Sequence, residues 1–361
     1  MKIGILGVPN CGKTALFNAC TKSGAKSGVS PFSTKESNVG QVKVPEPRLF
    51  RLAEMHKSEK VIHATTELMD IAGLVRGSGK GEGLGNKFLA SIRESDALLH
   101  VVRCFEDENV MHVDGNIDPV RDIETIDFEL IFADLEQLER RKERTQKAAK
   151  ADKNLAAELI ILDKFIEALE AGTSLRDVEL TKEEDDMAAM FGLLSKKTVI
   201  YALNVDDNSL DSGNTHSRAA MEVLRDRNAE VFLVSAKLEE EMVDFDDEER
   251  DAMLADLGIS VPGSTLVISA GFKALGLMCF LTAGPKESRA WTIPLNTKAK
   301  AAAGKIHSDI ERGFIRAEVV NFADLEEYGS PQGAKEAGKV RLEGKEYIVK
   351  DGDVILFRFN V

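Results

Sequence analysis

The segment Gly7-Val8-Pro9-Asn10-Cys11-Gly12-Lys13-Thr14 restricts what this chain can fold into more than any other. It follows Lys2-Ile3-Gly4-Ile5-Leu6, an apolar run of strand type, and precedes Ala15-Leu16-Phe17-Asn18-Ala19-Cys20, which opens a helix. Strand, glycine loop, Lys-Thr and helix form the context that makes G-x-x-x-x-G-K-[ST] a phosphate loop. The glycines let the backbone approach phosphate oxygens, and the successive N–H groups of Asn10, Cys11, Gly12, Lys13, Thr14 and Ala15 cradle an anion at the helix start. Lys13 is placed to neutralise the β- and γ-phosphates, and the Thr14 hydroxyl to ligate Mg²⁺. A nucleoside triphosphate is the expected ligand.

The remaining pattern supports an α/β fold class. Lys2–Leu6, Thr65–Asp70 and Ala97–Arg103 read as buried strands separated by helical stretches. The alternation resumes at Thr198–Asn204 and Ala229–Ser235, which predicts a parallel sheet with helices on both faces. Between these halves, Phe128, Ile131, Leu135 and Leu138, then Leu155, Leu159, Leu162, Ile166 and Leu169, form two narrow apolar stripes flanked by charge. Their three-and-four spacing predicts a helical coiled-coil hairpin turning near Ala148–Asn154, with a basic tip. That tip is either a solvated helix end or a contact for RNA or a ribosome. Beyond Leu277, a hairpin (Met278–Thr282 and Ser288–Pro294), a helix with Ala303, Ile306, Ile310 and Phe314 on one face, and strands at Ile315–Val320, Tyr347–Lys350 and Val354–Phe359 predict a small β-grasp-like interaction module. The expected architecture is a P-loop NTPase (Ras-like G domain) over 1–126 and 191–275, an inserted arm over 127–190, and the β-grasp module over 276–361.

Composition narrows the setting. A net charge of −14 argues against a surface coated for nucleic acid, so any RNA contact must use local patches. The four cysteines lack metal-ligand spacing, and no apolar run reaches the ~20 residues that cross a bilayer. With a strand starting at residue 2 and no room for a signal peptide, a cytoplasmic monomer without a membrane partner is expected.

Asp70-Ile71-Ala72-Gly73 ends a strand where P-loop enzymes hold Mg²⁺, and the Gly73 N–H would meet the γ-phosphate. Thr34 could complete the Mg²⁺ sphere. Leu74 stands where Ras-like enzymes carry a water-orienting Gln; leucine neither donates nor accepts, so intrinsic hydrolysis should be slow. His112, beyond the strand Ala97–Arg103, is either the group that positions water or a loop histidine. Asn10 either coordinates a monovalent cation beside the phosphates or braces its own loop. For the base, Asn204-Val205-Asp206-Asp207 replaces Asn-Lys-x-Asp. Asn204 can meet a purine edge and Asp207 can accept from guanine, with Ser235-Ala236-Lys237 completing a guanine-type loop. From this chemistry ATP and GTP both remain open.

Gly7–Thr14, Pro31–Thr34, Asp70–Asn86, the helical insert and the C-terminal module together resemble the YchF/Obg-like ATPases, within the Obg-related P-loop GTPase group. The likeness runs over essentially the whole chain and is most specific at Asp70–Asn86 and Gly333–Val361. It implies preference for ATP over GTP, with Asn204 and the Val205 backbone at the adenine. Asp207 stands where that family usually has Glu. The resemblance further implies a hydrolytic role for His112, K⁺ stimulation through Asn10, a TGS domain at the C-terminus, and association with ribosomes.

Overall fold

The computed structural model describes residues 1–23, 38–71, 84–149, 155–227 and 229–360. The twelve strands among them are Lys2–Leu6 (β1), Asn38–Lys43 (β2), Lys60–Ile62 (β3), Thr65–Asp70 (β4), Ala97–Arg103 (β5), Val199–Asn204 (β6), Val231–Val234 (β7), Leu277–Ala283 (β8), Glu287–Pro294 (β9), Phe314–Asn321 (β10), Arg341–Glu343 (β11) and Asp353–Phe359 (β12). The α-helices are Lys13–Ser23 (α1), Arg48–His56 (α2), Leu84–Glu94 (α3), Pro119–Ala149 (α4), Ala156–Glu170 (α5), Lys182–Phe191 (α6), Thr215–Leu224 (α7), Ala236–Glu241 (α8), Asp247–Asp256 (α9), Gly263–Ala274 (α10), Ala299–Ile306 (α11), Ser308–Arg312 (α12), Phe322–Glu327 (α13) and Pro331–Glu336 (α14).

These elements form two units. The first comprises Met1–Gln41 and Glu67–Val267. Its sheet runs β2-β4-β1-β5-β6-β7, with β4, β1, β5, β6 and β7 paired in parallel. Every residue of β5 and β6 is buried, as expected for central strands covered by helices on both faces. Each fully buried Leu or Ile there contributes about 1.5–3 kcal/mol. The parallel order brings the carboxyl ends of β1, β4, β5 and β6 to one edge, where ligands of such sheets sit.

Both predicted stripes of the arm pack together. Ile131 and Leu138 of α4 join Leu162, Phe165, Ile166 and Leu169 of α5 in one core, while Phe128 stays largely exposed. The arm does not begin at 127, however. Helix α4 starts at Pro119, and its early residues Ile123, Ile126 and Leu130 belong to the core beneath the sheet. Lower down, Asp134 accepts from the N–H groups of Leu194 and Ser195 and from the Ser195 hydroxyl, at 2.9, 2.7 and 2.6 Å. The predicted turn lies mostly in 150–154, outside the described residues.

The second unit comprises Val42–Thr66 and Ile268–Val361, so residues expected in the nucleotide domain belong with the C-terminal ones. The reason is strand pairing. β3 adds in parallel to the edge strand β9, extending a mixed sheet ordered β11-β10-β12-β8-β9-β3. Helix α2, whose Leu49 and Leu52 are fully buried, packs on β8 and β9. Arg48 is bonded to Glu46 and, at 2.8 Å, to Asp351. The predicted hairpin is present as β8 and β9. The single expected helix is two short ones, α11 and α12, because the chain breaks at His307; Phe314 lies on β10. Tyr347–Lys350 is not a strand: only Ile348 pairs, with Lys298, through an isolated bridge.

Candidate nucleotide site

The phosphate loop follows β1 and ends at α1 as its sequence requires. Gly7 lies against β5, where a Cβ would come within 2.5 Å of the Val101 carbonyl oxygen. Gly12 has φ +97°, and a Cβ there would strike the Asn204 amide nitrogen at 2.2 Å. Glycine is needed at both positions for close approach, and at Gly12 also for the left-handed backbone.

The Thr14 hydroxyl donates to Asp70 Oδ2 at 3.0 Å, joining the start of α1 to the end of β4. The other Asp70 oxygen is buried without a partner among the described residues. Burial raises the Asp70 carboxyl above its ordinary range, against the Thr14 hydrogen bond and the Lys13 charge, which lower it. A hydroxyl beside an unsatisfied carboxylate oxygen at the mouth of a phosphate loop is the hard-oxygen donor set that suits Mg²⁺. Thr34, Gly73 and Leu74 lie outside the described residues.

A cavity of about 410 Å³ opens over the loop, with Asn10, Gly12, Ala15, Val205 and Ser235 in its lining. Asn204 is a clamp as much as a contact residue. Its Nδ2 donates to the Cys11 carbonyl at 2.9 Å, and its Oδ1 accepts from the Ala236 N–H at 2.9 Å. One Nδ2 hydrogen remains for a ligand. Val205 is buried, with its N–H on the Val234 carbonyl. The Ser235 hydroxyl donates to Asp207 Oδ1 at 2.5 Å, which aligns Asp207 in the cavity, whereas Asp206 turns to Ser209 at 2.9 Å. Cys11 is wholly enclosed, and burial pushes its thiol up.

Asn10 takes a left-handed conformation, φ 62°, and its amide donates to the Met111 carbonyl at 3.0 Å. One Nδ2 hydrogen is thus used on the segment after β5, and Oδ1 remains as an acceptor. The next residue, His112, is buried. Its Nδ1 accepts from the Asp114 N–H at 3.1 Å, so in the uncharged ring the proton is on Nε2, donated to Asp122 Oδ2 at 2.9 Å. His112 lines a neighbouring cavity of about 380 Å³, not the one over the phosphate loop. His112, Asp114 and Asp122 lie within metal-ligand range of one another. Both ring nitrogens are already engaged, and Arg121 Nε, 3.5 Å from Asp114 and 3.7 Å from Asp122, supplies the positive charge.

Sequence reasoning missed Phe105, which faces the cavity, Arg103 behind it, and Asp122. A charge closing a strand otherwise broken only by His100 was the available signal for Arg103. Asp122 carried no such mark, being one of many acidic residues on a long helix.

A doubly covered parallel sheet, a strand-to-helix phosphate loop and a pair made by Thr14 of α1 with Asp70 at the end of β4 define a P-loop nucleoside triphosphatase. The comparisons specify which kind. A family described as 50S ribosome-binding GTPase matches residues 2–134, and one named for the YchF GTPase C-terminus, described as a protein of unknown function, matches 277–360. The chain is 48% identical to the ribosome-binding ATPase YchF of Escherichia coli O157:H7, over 100% of this chain and 99% of that protein. It is 49% identical to that of Bacillus subtilis, over 99% of each. The structure of the Schizosaccharomyces pombe YchF GTPase matches with a TM-score of 0.88 at 32% identity, covering 99% of this chain and 97% of that one. The chain belongs to the YchF family. No helix among the described residues is long and apolar enough to cross a membrane.

Proposed function

We propose that this chain is a Mg²⁺-dependent ATPase of low intrinsic rate that works as a nucleotide-controlled switch at the ribosome, in the cytoplasm. The observation that carries the reading is the Thr14–Asp70 contact with its unsatisfied buried oxygen at the end of the phosphate loop. The Escherichia coli and Bacillus subtilis relatives, named as ribosome-binding ATPases, supply the nucleotide and the partner.

In this mechanism Lys13 and the amides of residues 10–15 hold the phosphates, and the Gly73 N–H meets the γ-phosphate. Thr14 and Asp70, with Thr34, would hold Mg²⁺, which offsets charge on the phosphate oxygens when bound. Leu74 cannot orient water; His112 would do so only after a ring nitrogen leaves the Asp114 N–H or Asp122 that now holds it, and otherwise the partner does. Asn10 Oδ1 is the acceptor a K⁺ ion would use. The basic arm and the C-terminal module, taken as a TGS domain, contact ribosomal RNA or protein. The protein works as a monomer.

A GTP-hydrolysing version is favoured by one observation: Ser235 bonds Asp207 within the cavity lining, and a carboxylate there is the acceptor that guanine N1–H and N2–H require. Calorimetry with ATP and GTP, paired with phosphate release with and without ribosomes, separates the two. Tighter binding and faster turnover of ATP support the main reading; equal or better use of GTP overturns its base selectivity. Lys13→Ala should abolish both activities, and His112→Ala should lower turnover about 10²-fold at unchanged affinity.

A further inference from the structure

Arg103 closes β5 and is 1% exposed, yet it forms no ion pair with any described carboxylate; Asp107 and Asp122 act on it only from a distance. Its Nη2 donates to the Val110 carbonyl at 2.7 Å, and Nε reaches the Phe105 carbonyl at 3.4 Å. The guanidinium carbon stands 4.5 Å from the centre of the Phe105 ring, and Nη1 has no partner among the described residues. A buried charge with an unmet donor weakens a fold relative to an apolar side chain of similar volume, so stability alone does not account for it.

Its contacts point to another role. Phe105 and Val110 both line the cavity that also holds Asn204, Val205, Asp207 and Ser235, the base-reading side of the site. One residue further, Met111 is tied to the phosphate loop through Asn10. The wall of the cavity from 105 to 110 is thus held from behind by Arg103, and its continuation at Met111 is held by Asn10.

We propose that Arg103 is a positioning residue for nucleobase binding. It fixes the Phe105 ring by cation–π contact and the Val110 carbonyl by hydrogen bonding, so that this wall is formed before nucleotide arrives. The inference rests on the reading of the cavity as a nucleotide site. His112 keeps its own anchors, the Asp114 N–H and Asp122, so loss of Arg103 acts on binding more than on turnover.

The test uses the full-length protein, with ATP and inorganic tripolyphosphate as probes. Tripolyphosphate engages the phosphate loop without a base. Arg103→Met should weaken ATP about tenfold, comparable to one charge-assisted hydrogen bond, and leave tripolyphosphate and kcat within about twofold. Arg103→Lys should fall between. Adding Arg103→Met to Phe105→Ala should cost little beyond Phe105→Ala alone, because both remove one wall. Equal losses for ATP and tripolyphosphate, a fall in kcat at unchanged KM, or additive effects would overturn the proposal. If Arg103→Met fails to fold, Arg103→Lys and Phe105→Ala decide: ATP affinity unaltered in both overturns it. A wild-type protein that binds ATP no tighter than tripolyphosphate sinks the nucleotide reading itself, whereas variants that keep the wild-type preference sink only the role of Arg103.

Discussion

His112 Nε2 donates to Asp122 Oδ2 at 2.9 Å, and the two side chains are 2% and 1% exposed. The residue proposed to position water is therefore anchored to the helix that becomes the arm. Burial raises the Asp122 carboxyl, against the His112 hydrogen bond and charge, which lower it. Asp122→Ala strands the Nε2–H and should destabilise the first unit by about 1–3 kcal/mol. Asp122→Asn keeps an acceptor and should lose less. Nitrogen-15 NMR of the ring should show the uncharged form protonated on Nε2 in the wild type and a mixture of tautomers in Asp122→Ala. A wild-type ring protonated on Nδ1 contradicts the assignment.

His100, in the middle of β5, offers a pH readout. Burial, with the charges of Arg176 and Arg227 against that of Asp127, lowers its pKa to about 4. Between that value and the unfolded value of about 6.5 the unfolded chain binds the extra proton. This contribution is full above about pH 6.5 and is lost as pH falls toward 4, by of the order of 3 kcal/mol. Urea midpoints at pH 5 and 7.5 should differ less in His100→Leu than in the wild type. Equal differences in the two proteins would remove His100 as the cause.

Gly12→Ala should damage the site locally. The new methyl meets Asn204 Nδ2 at 2.2 Å on a backbone with φ +97°. Either the loop moves or the Asn204–Cys11 bond opens, at about 1–3 kcal/mol. Nucleotide affinity by calorimetry should fall at least about tenfold, while the arm and the C-terminal unit, followed by hydrogen exchange, stay protected.

In the second unit, Arg48→Met leaves Glu46, 5% exposed, without its partner and removes the bond to Asp351. Because Arg48 is itself 27% exposed, the expected loss is about 2 kcal/mol, below that of a fully enclosed pair. Glu46→Gln combined with Arg48→Met should recover part of it. Hydrogen exchange in β3 and β9 reports the effect directly; unchanged protection there would contradict the assignment of Val42–Thr66 to this unit.

Local chemistry is legible in the sequence. Gly7–Thr14 and Asp70 named the phosphate end of the site, and the structure joins them at Thr14 and Asp70. The two leucine-rich stripes forecast the α4–α5 core because helical spacing repeats within a few residues. Spacing does not mark where the arm begins, because Ile123, Ile126 and Leu130 continue the same pattern while packing under a different surface. β3, three residues long, carries no periodic signal. Its membership in the C-terminal sheet depends on pairing with β9, more than two hundred residues away.

The sequence by itself determined that a phosphate loop lies between a strand and a helix, with an acidic strand end to meet it, because those functions need particular residue types at short spacing. Only the tertiary structure decided what surrounds that loop. Asn10 meets Met111, Asn204 clamps Cys11 to Ala236, Arg103 backs Phe105, and Asp122 claims His112. Apart from Arg103 and Phe105, these partners are distant in the chain or lack a motif, and all depend on how the strands align at one edge of the sheet.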